Sequence, residues 1–156
     1  MSDTAVRLLR PDEYTAWRAR SELAYAQNMI ESGGIDEDDA TKKAAADFAA
    51  LLPAGLDTVD HSIYAVEVDG VVIGSLWVAE RDTEQGRALF VYEVFVDDAV
   101  RGRGHGREAM RFAEEEARRR GISAVALNVF GGNDVARGLY RSLGYREVAV
   151  FMRKAL

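Results

Sequence analysis

The segment from residue 101 to 107 reads Arg-Gly-Arg-Gly-His-Gly-Arg, and it constrains the chain more than any other segment. It follows an apolar, strand-like stretch, Leu89 to Val96, and precedes a helix-like stretch, Glu108 to Arg120. Glycine at every second position leaves the backbone N–H groups uncovered, and the N-terminus of the following helix carries partial positive charge. Three arginines add full positive charge. The segment therefore predicts a site for a phosphate or pyrophosphate group.

Size and composition exclude several classes of protein. A chain of 156 residues suits one domain with a sizeable core. The chain has no cysteine, which excludes a disulfide scaffold, a thiol nucleophile and a cysteine-ligated metal. Its two histidines, His61 and His105, lie far apart in sequence, so we expect no metal site. Neither a signal peptide nor an apolar run of about 20 residues is found, so we expect a cytoplasmic protein with no membrane partner.

The charge is unevenly distributed along the chain. A net charge of −6 argues against general nucleic-acid binding. Residues 101–120 hold seven arginines and four glutamates, which favours an anion there. Residues 31–60 hold eight acids and two lysines. This acidic segment is either a solvated helix face or a region that steers a cationic partner.

The pattern of apolar residues predicts a single α+β domain with one mixed, mostly antiparallel sheet. Asp69-Gly70 is a strong two-residue hairpin signal. The crossover through the helix after the glycine-rich segment makes its two flanking strands parallel. The expected strands are Ala5–Leu9, His61–Val68, Val71–Val78, Arg87–Val96, Val125–Phe130 and Tyr145–Arg153. The expected helices run from Pro11 to about Glu31, from Asp36–Asp39 to Pro53, from the glycine-rich segment to Gly121, and from Asn133 to Gly144.

A set of short motifs follows in a fixed order along the second half of the chain. They are Val94-Phe95-Val96, Arg101-x-x-Gly104-x-Gly106, Leu127-Asn128-Val129, Asn133, Ala136 and Leu139-Tyr140-x-x-x-Gly144-Tyr145. In this order and spacing they resemble the GCN5-related N-acetyltransferase (GNAT) superfamily, whose loop is written Gln/Arg-x-x-Gly-x-Gly/Ala. The resemblance is dense from about Tyr92 to Lys154, consistent in strand order back to His61, and weak before that. It implies that residues 1–60 form the acceptor side of one acetyltransferase domain, and that residues 61–156 form the sheet and the acetyl-CoA-binding core.

The resemblance also implies how acetyl-CoA is held. Two parallel strands, ending at Val96 and Phe130, would splay into a V-shaped opening, with helices on both faces of the sheet. The pantetheine arm would pair with the backbone of the first strand, the pyrophosphate would bind the loop N–H groups, and a strand N–H would steady the oxyanion. The implied cofactor-binding residues are Val94, Phe95, Val96, Arg101, Gly102, Arg103, Gly104, His105, Gly106, Arg107, Asn133 and Tyr140. The side chain of His105 is expected to be a loop or surface group that binding does not require.

Tyr140 and Asn133 each have a structural and a functional interpretation. Tyr140 lies on the apolar face of its helix, where a core tyrosine is the simpler interpretation. The resemblance implies instead that its hydroxyl protonates the departing CoA thiolate. Asn133 is suited to cap its helix. The resemblance implies that Asn133 also contacts CoA or orders the loop.

Glu93 is the only acid within Leu89 to Val96. Strict strand alternation places Tyr92 and Val94 on one face and Glu93 and Phe95 on the other. The resemblance implies that Glu93 is the general base, a role that burial would favour, or that a chain of water molecules takes its place.

The main hypothesis is direct transfer of an acetyl group from acetyl-CoA to an amine of a small molecule or peptide. Direct transfer is favoured because no cysteine can carry the acetyl group. The alternative is a non-catalytic domain that binds or senses acyl-CoA. A nucleotide-binding loop is disfavoured, because no Lys-Ser/Thr follows it and its third glycine comes one residue early for a dinucleotide fingerprint. A homodimer is compatible with the family.

Overall fold

The computed structural model describes residues 3–156 and contains a five-stranded sheet in the order β1-β2-β3-β4-β5. The first four strands are antiparallel, and β5 is parallel to β4. The predicted fold class, a mixed α+β sheet with a parallel pair, is therefore confirmed. The elements are β1 (Thr4–Leu8), α1 (Tyr14–Glu31), α2 (Glu37–Leu51), β2 (His61–Val68), β3 (Val71–Thr83), β4 (Gly86–Val96), α3 (His105–Arg119), β5 (Val125–Leu127) and α4 (Asp134–Ser142). Short 3₁₀ turns lie at Pro11–Glu13, Gly55–Asp57 and Asp98–Val100.

Helices cover both faces of the sheet. The cluster on the α1 and α2 side is aromatic and contains Trp17, Phe48, Leu52, Ile63 and Trp77. The cluster on the α3 side joins Met110, Ala113 and Ala117 to buried strand residues, among them Tyr64, Leu76, Val78, Leu89 and Val91. Small residues along α3 let this helix lie close to the sheet. The first turn of α3 is thereby held next to the end of β4.

Local sequence signals account for several boundaries. Asp69 and Gly70 both have positive φ, 52° and 77°, as a tight two-residue hairpin requires. Asp36 caps α2, because its side chain accepts a hydrogen bond of 2.8 Å from the backbone N–H of Asp39. Helix α3 begins at His105, three residues before the predicted start at Glu108, because Gly104 adopts the left-handed N-cap conformation.

A β-bulge at Tyr92 interrupts the alternation of β4. Trp77 pairs with Glu93 while Val78 pairs with Val91, so Tyr92 is an extra residue on β4. Tyr92 stacks on Trp77 with ring centroids 4.7 Å apart, and Glu93 contacts Trp17 on the same face. The prediction that Tyr92 and Glu93 lie on opposite faces is wrong, because the bulge shifts the side-chain period by one residue.

The predicted last strand, Tyr145–Arg153, is also wrong. After α4 the chain runs to residue 156 without joining the sheet, so within residues 3–156 β5 is an edge strand. The strand β5 covers Val125–Leu127 and is shorter than the predicted Val125–Phe130. So short a strand offers little edge with which a further strand could pair. No helix within residues 3–156 has the length and apolar character needed to cross a membrane.

Candidate active site

An opening separates β4 from β5 beyond the bulge. The two strands pair from Leu89 with Val125 to Val91 with Leu127, and the pairing stops there. From Tyr92 to Val96, β4 keeps β3 as its neighbour on one side and, within residues 3–156, has no strand on the other. Apart from the carbonyl of Val96, which accepts a hydrogen bond from Arg101, the backbone N–H and C=O groups along that edge are therefore free to pair with a bound molecule.

The first turn of α3 forms a cradle of backbone N–H groups beside this edge. Gly102 and Gly104 have φ of +78° and +88°, the left-handed region that favours glycine. A Cβ at either position would meet no atom within 4 Å, so the space over the loop is open. Within residues 3–156, the N–H groups from Gly102 to Arg107 donate no hydrogen bond. Unpaired N–H groups at a helix N-terminus form a site for an anion.

The three arginines of the loop have different partners. Arg101 donates from Nε to the carbonyl oxygen of Val96 at 2.9 Å and pairs with Asp98 at 2.6 Å, so it fixes the end of β4. Arg107 donates to the Ser142 hydroxyl on α4 at 2.7 Å. Arg103 is exposed and has no hydrogen bond or ion pair within the described part of the chain. Arg103 is thus the guanidinium of the loop that is available to a ligand.

His105 and Gly106 serve the packing of the cradle. The side chain of His105 is buried, with 3% of the residue exposed, and its Nδ1 lies 3.0 Å from the hydroxyl of Thr4 on β1. The expectation of a loop or surface side chain is therefore wrong, because the first turn of α3 directs the imidazole toward the sheet. A Cβ on Gly106 would lie 3.5 Å from Cδ2 of Leu139, so glycine here lets α4 approach α3.

Helix α4 presents Tyr140 and Asn133. Asn133 is the N-cap, since its side chain accepts a hydrogen bond of 3.2 Å from the N–H of Ala136. Tyr140 is partly buried against the α3-side cluster, and its ring lies 5.9 Å from that of Tyr145. Burial raises the pKa of the Tyr140 phenol above its ordinary value. The hydroxyl therefore stays protonated at neutral pH, and within residues 3–156 it has no hydrogen-bond partner.

Glu93 faces α1 and accepts hydrogen bonds from four side chains. Trp17 donates to Oε1 at 3.1 Å, Arg20 at 3.0 Å and Ser75 at 2.6 Å. Ser21 donates to the other oxygen, Oε2. The carboxylate is 14% exposed, so this network compensates the burial of its charge.

Arg20 joins α1 to the floor of the opening and was not predicted from the sequence. Its guanidinium lies 3.8 Å from the ring centroid of Phe95, and it also donates to Ser75 at 2.8 Å. Among the described residues 3–156, its Nη1 is buried and finds no hydrogen-bond partner. The sequence carries no signal for Arg20, Ser21 or Ser75, because they lie on α1 and β3, far in sequence from Glu93.

Comparison with known proteins agrees with this geometry. The profile of the Acetyltransferase (GNAT) family matches residues 15–145. The chain belongs to this family. The match includes α1 and α2, the segment in which the motifs are weakest. The family match therefore covers these two helices as well as the loop and the opening.

Three relatives illustrate the range of similarity. The uncharacterised N-acetyltransferase YycN of Bacillus subtilis is 28% identical over 149 residues, covering 95% of this chain and 96% of YycN. Its crystal structure superposes with a TM-score of 0.91 over 99% of both chains. The uncharacterised N-acetyltransferase YdgE of the same organism is 31% identical, with 93% of each chain covered. The aminoglycoside N-acetyltransferase AAC(6′)-Iy, solved with CoA, is 18% identical with a TM-score of 0.66, over 100% of this chain and 97% of its own, and shares the fold alone.

Proposed function

We propose that this GNAT-family chain transfers an acetyl group from acetyl-CoA directly to an amine. The proposal rests mainly on one observation. A short connection joins the free edge of β4, Tyr92–Val96, to the cradle of N–H groups at Gly102–Arg107. A strand edge suits the two amides of a pantetheine arm, which can add to a sheet as an extra strand. The cradle suits a pyrophosphate. A ligand that carries both groups would engage the two sites together.

The residues around the opening have the chemistry that acetyl-CoA requires. Backbone groups of Val94 and Val96 would pair with the pantetheine, beside Phe95. The N–H groups from Gly102 to Arg107 and the free guanidinium of Arg103 would hold the phosphates. Asn133 would order the loop before α4. When bound, acetyl-CoA supplies the thioester, and a β4 N–H would steady the oxyanion that forms from its carbonyl.

Tyr140 is proposed as the acid that protonates the leaving thiolate. Two observations support this role. The Tyr140 hydroxyl is protonated and, within residues 3–156, unpartnered, and its helix α4 packs against the cradle at Gly106. Its raised pKa makes full proton transfer to a thiolate uphill, because a free thiol has a pKa of about 8.5. A hydrogen bond that strengthens as charge develops on sulfur still lowers the barrier.

Glu93 is proposed as the base that takes the proton from the acceptor ammonium. Three of its four donors bind Oε1, so Oε2 keeps capacity for the amine or for a bridging water. The same donors hold the carboxylate in place between α1 and β4. We expect a modest contribution from Glu93.

The proposed acceptor is a small molecule or peptide with an amine. Asp36 and the three acidic residues that follow it open α2, next to the loop that ends α1. Their charge favours a cationic acceptor. An aminoglycoside N-acetyltransferase is among the structural neighbours, and this makes polyamines and aminoglycosides the first compounds to test.

Thiol release from acetyl-CoA over a panel of amino acids, peptides, polyamines and aminoglycosides tests the proposal. We expect release with at least one acceptor and inhibition by CoA but not by ATP or NAD. Measurable acetyl-CoA binding with no release across the panel would instead support a non-catalytic binding or sensing domain. Competition by ATP or NAD would support a nucleotide site.

A further inference from the structure

The guanidinium of Arg20 lies where α1 meets the floor of the opening, and most of its hydrogen-bonding capacity is unused. Its Nη2 donates to Ser75 at 2.8 Å and to Glu93 at 3.0 Å. Within residues 3–156 neither Nε nor Nη1 donates a hydrogen bond, and Nη1 is buried. A guanidinium carries five N–H donors, so three of those on Arg20 have no partner among the described residues.

The same guanidinium is placed within reach of a ligand in the opening. It lies 3.8 Å from the ring centroid of Phe95, on the stretch of β4 that has no neighbour on the β5 side within residues 3–156. The side chain of Arg20 is 31% exposed. Contact with a flat ring lets the guanidinium shift in its own plane, and a buried donor without a partner favours a shift toward an acceptor. An anion in the opening can therefore bind it.

The ion pair with Glu93 does not by itself account for this arginine. Trp17, Ser21 and Ser75 also donate to Glu93, so its carboxylate has three neutral donors besides Arg20. A point charge such as an ammonium would balance the charge of Glu93, whereas the planar fork of a guanidinium suits the recognition of a carboxylate through several donors. The unused donors of Arg20 thus indicate a second anionic partner.

The proposed reaction favours such an anion. In that reaction Glu93 takes a proton from the acceptor ammonium, which leaves a neutral amine and a neutral carboxylic acid. Arg20 then loses the negative charge that faces it at 3.0 Å. The guanidinium also repels the ammonium of an incoming acceptor. A carboxylate on the acceptor would remove both penalties, because it would balance the charge of Arg20 throughout the reaction.

We propose that Arg20 binds a carboxylate of the acceptor, and that the acceptor is an amino acid whose carboxylate lies within a few bonds of the amine that is acetylated. Glu93 and Arg20 are adjacent, so only a carboxylate close to that amine can reach the guanidinium while the amine reaches Oε2. The inference rests on the proposed function, since it assigns the acceptor of that same site. A basic amino acid also suits the acidic start of α2, Asp36–Asp39, through its second amine.

Thiol release from acetyl-CoA, measured with pairs of acceptors that differ by one carboxylate, tests this inference. Lysine with cadaverine, ornithine with putrescine, and histidine with histamine are such pairs. For at least one pair we expect the wild-type kcat/KM to be about 10- to 100-fold higher for the amino acid, the range that hydrogen bonds to a charged group supply.

Arg20→Met should abolish this preference, because methionine keeps a contact with Phe95 but has neither charge nor donor. A loss that acts through Glu93 lowers both members of a pair equally, so the ratio of their kcat/KM values isolates the carboxylate contact. Arg18→Met is the matched control and should keep the ratio. Arg18 also lies on α1, its side chain is 30% exposed, and it pairs with Glu22 at 2.7 Å.

Circular dichroism checks that the variants are folded. If Arg20→Met does not fold, Arg20→Lys decides in its place and should lower the ratio several-fold, because lysine keeps the charge but loses the planar fork. Transfer without preference for the amino acid in any pair would overturn the inference and leave the proposed function standing. A preference that the Arg20 variant retains, or that Arg18→Met loses equally, would do the same. If no acceptor releases thiol, the proposed function fails and the inference fails with it.

Discussion

At the scale of the residue, the phenol of Tyr140 is the group whose removal tests the proposed chemistry most cleanly. We expect Tyr140→Phe to lower kcat by about 10²-fold at most, because the thiolate then loses the hydrogen bond that stabilises its developing charge. The KM for acetyl-CoA should change little, since the ring remains. The measurement is kcat under conditions in which chemistry limits the rate.

Tyr145→Phe is the matched control for Tyr140→Phe. It removes a neighbouring hydroxyl that is bonded to Glu114 at 3.0 Å, and we expect it to retain kcat. Equal losses in the two variants would indicate that α4 packing, rather than proton transfer, accounts for the effect.

Glu93 can be tested with a pair of variants that separate a base from a purely structural ion pair. Glu93→Gln should lower kcat/KM by about 10- to 100-fold, at the low end for general base catalysis. Ser75→Ala removes one donor that stabilises the charged carboxylate. If Glu93 is the base, Ser75→Ala, which keeps the carboxylate, should retain kcat/KM within a few-fold of wild type.

The contrary outcome for Glu93 is equally specific. If both variants lose kcat/KM and thermal stability together, Glu93 only orders α1 against β4, and a water chain takes the proton. Thermal unfolding measured beside the kinetics distinguishes the two cases.

Single residues also show how far the sequence could predict the site. Glu93 was identifiable as the one acid in an apolar strand, and Asn133 as a cap before a helix. The partners of Glu93 were not identifiable, because α1 carries polar residues on several faces and only the packed structure selects Arg20 and Ser21. The buried direction of the His105 side chain likewise depends on where the first turn of α3 lies.

At the scale of the element, the end of β4 depends on a close approach by β3. A Cβ on Gly74 would lie 2.1 Å from the carbonyl oxygen of Phe95, which is impossible without a backbone shift. We expect Gly74→Ala to lower the free energy of unfolding by about 1–3 kcal/mol, as overpacking does. We also expect it to weaken acetyl-CoA binding, because the shift falls on the free edge of β4.

Gly138→Ala is the matched control for Gly74→Ala. Gly138 lies in α4, and a Cβ there would meet no atom within 4 Å, so alanine should stabilise the helix by about 0.5–1 kcal/mol. Chemical denaturation and calorimetric titration with acetyl-CoA measure both effects. Unchanged affinity in a destabilised Gly74→Ala would argue against the β4 edge as the pantetheine site.

The elements also show which signals in a sequence are reliable. Hairpin and cap signals located β2 and the starts of β3 and α2 well, because they are local; β3 runs on to Thr83, five residues past the predicted end at Val78. Alternation failed twice, at Tyr92 and at Tyr145–Arg153. Alternation of apolar and polar residues indicates that a segment can form a strand. It does not indicate where a bulge occurs or whether a pairing partner is present.

At the scale of the whole molecule, two halves of the chain contribute to the proposed reaction. Residues 61–144 supply the opening, the cradle and Tyr140, while α1 supplies Arg20 and the other donors that hold Glu93. Under the proposed function, both substrates are present together between these halves. Direct transfer is favoured because a chain without cysteine has no thiol to carry the acetyl group between separate steps.

Initial velocities of thiol release, measured with acetyl-CoA and an active acceptor varied together, test this claim most directly. Direct transfer in a ternary complex predicts double-reciprocal lines that intersect. Parallel lines, together with an acetylated form of the protein in the absence of acceptor, would contradict it.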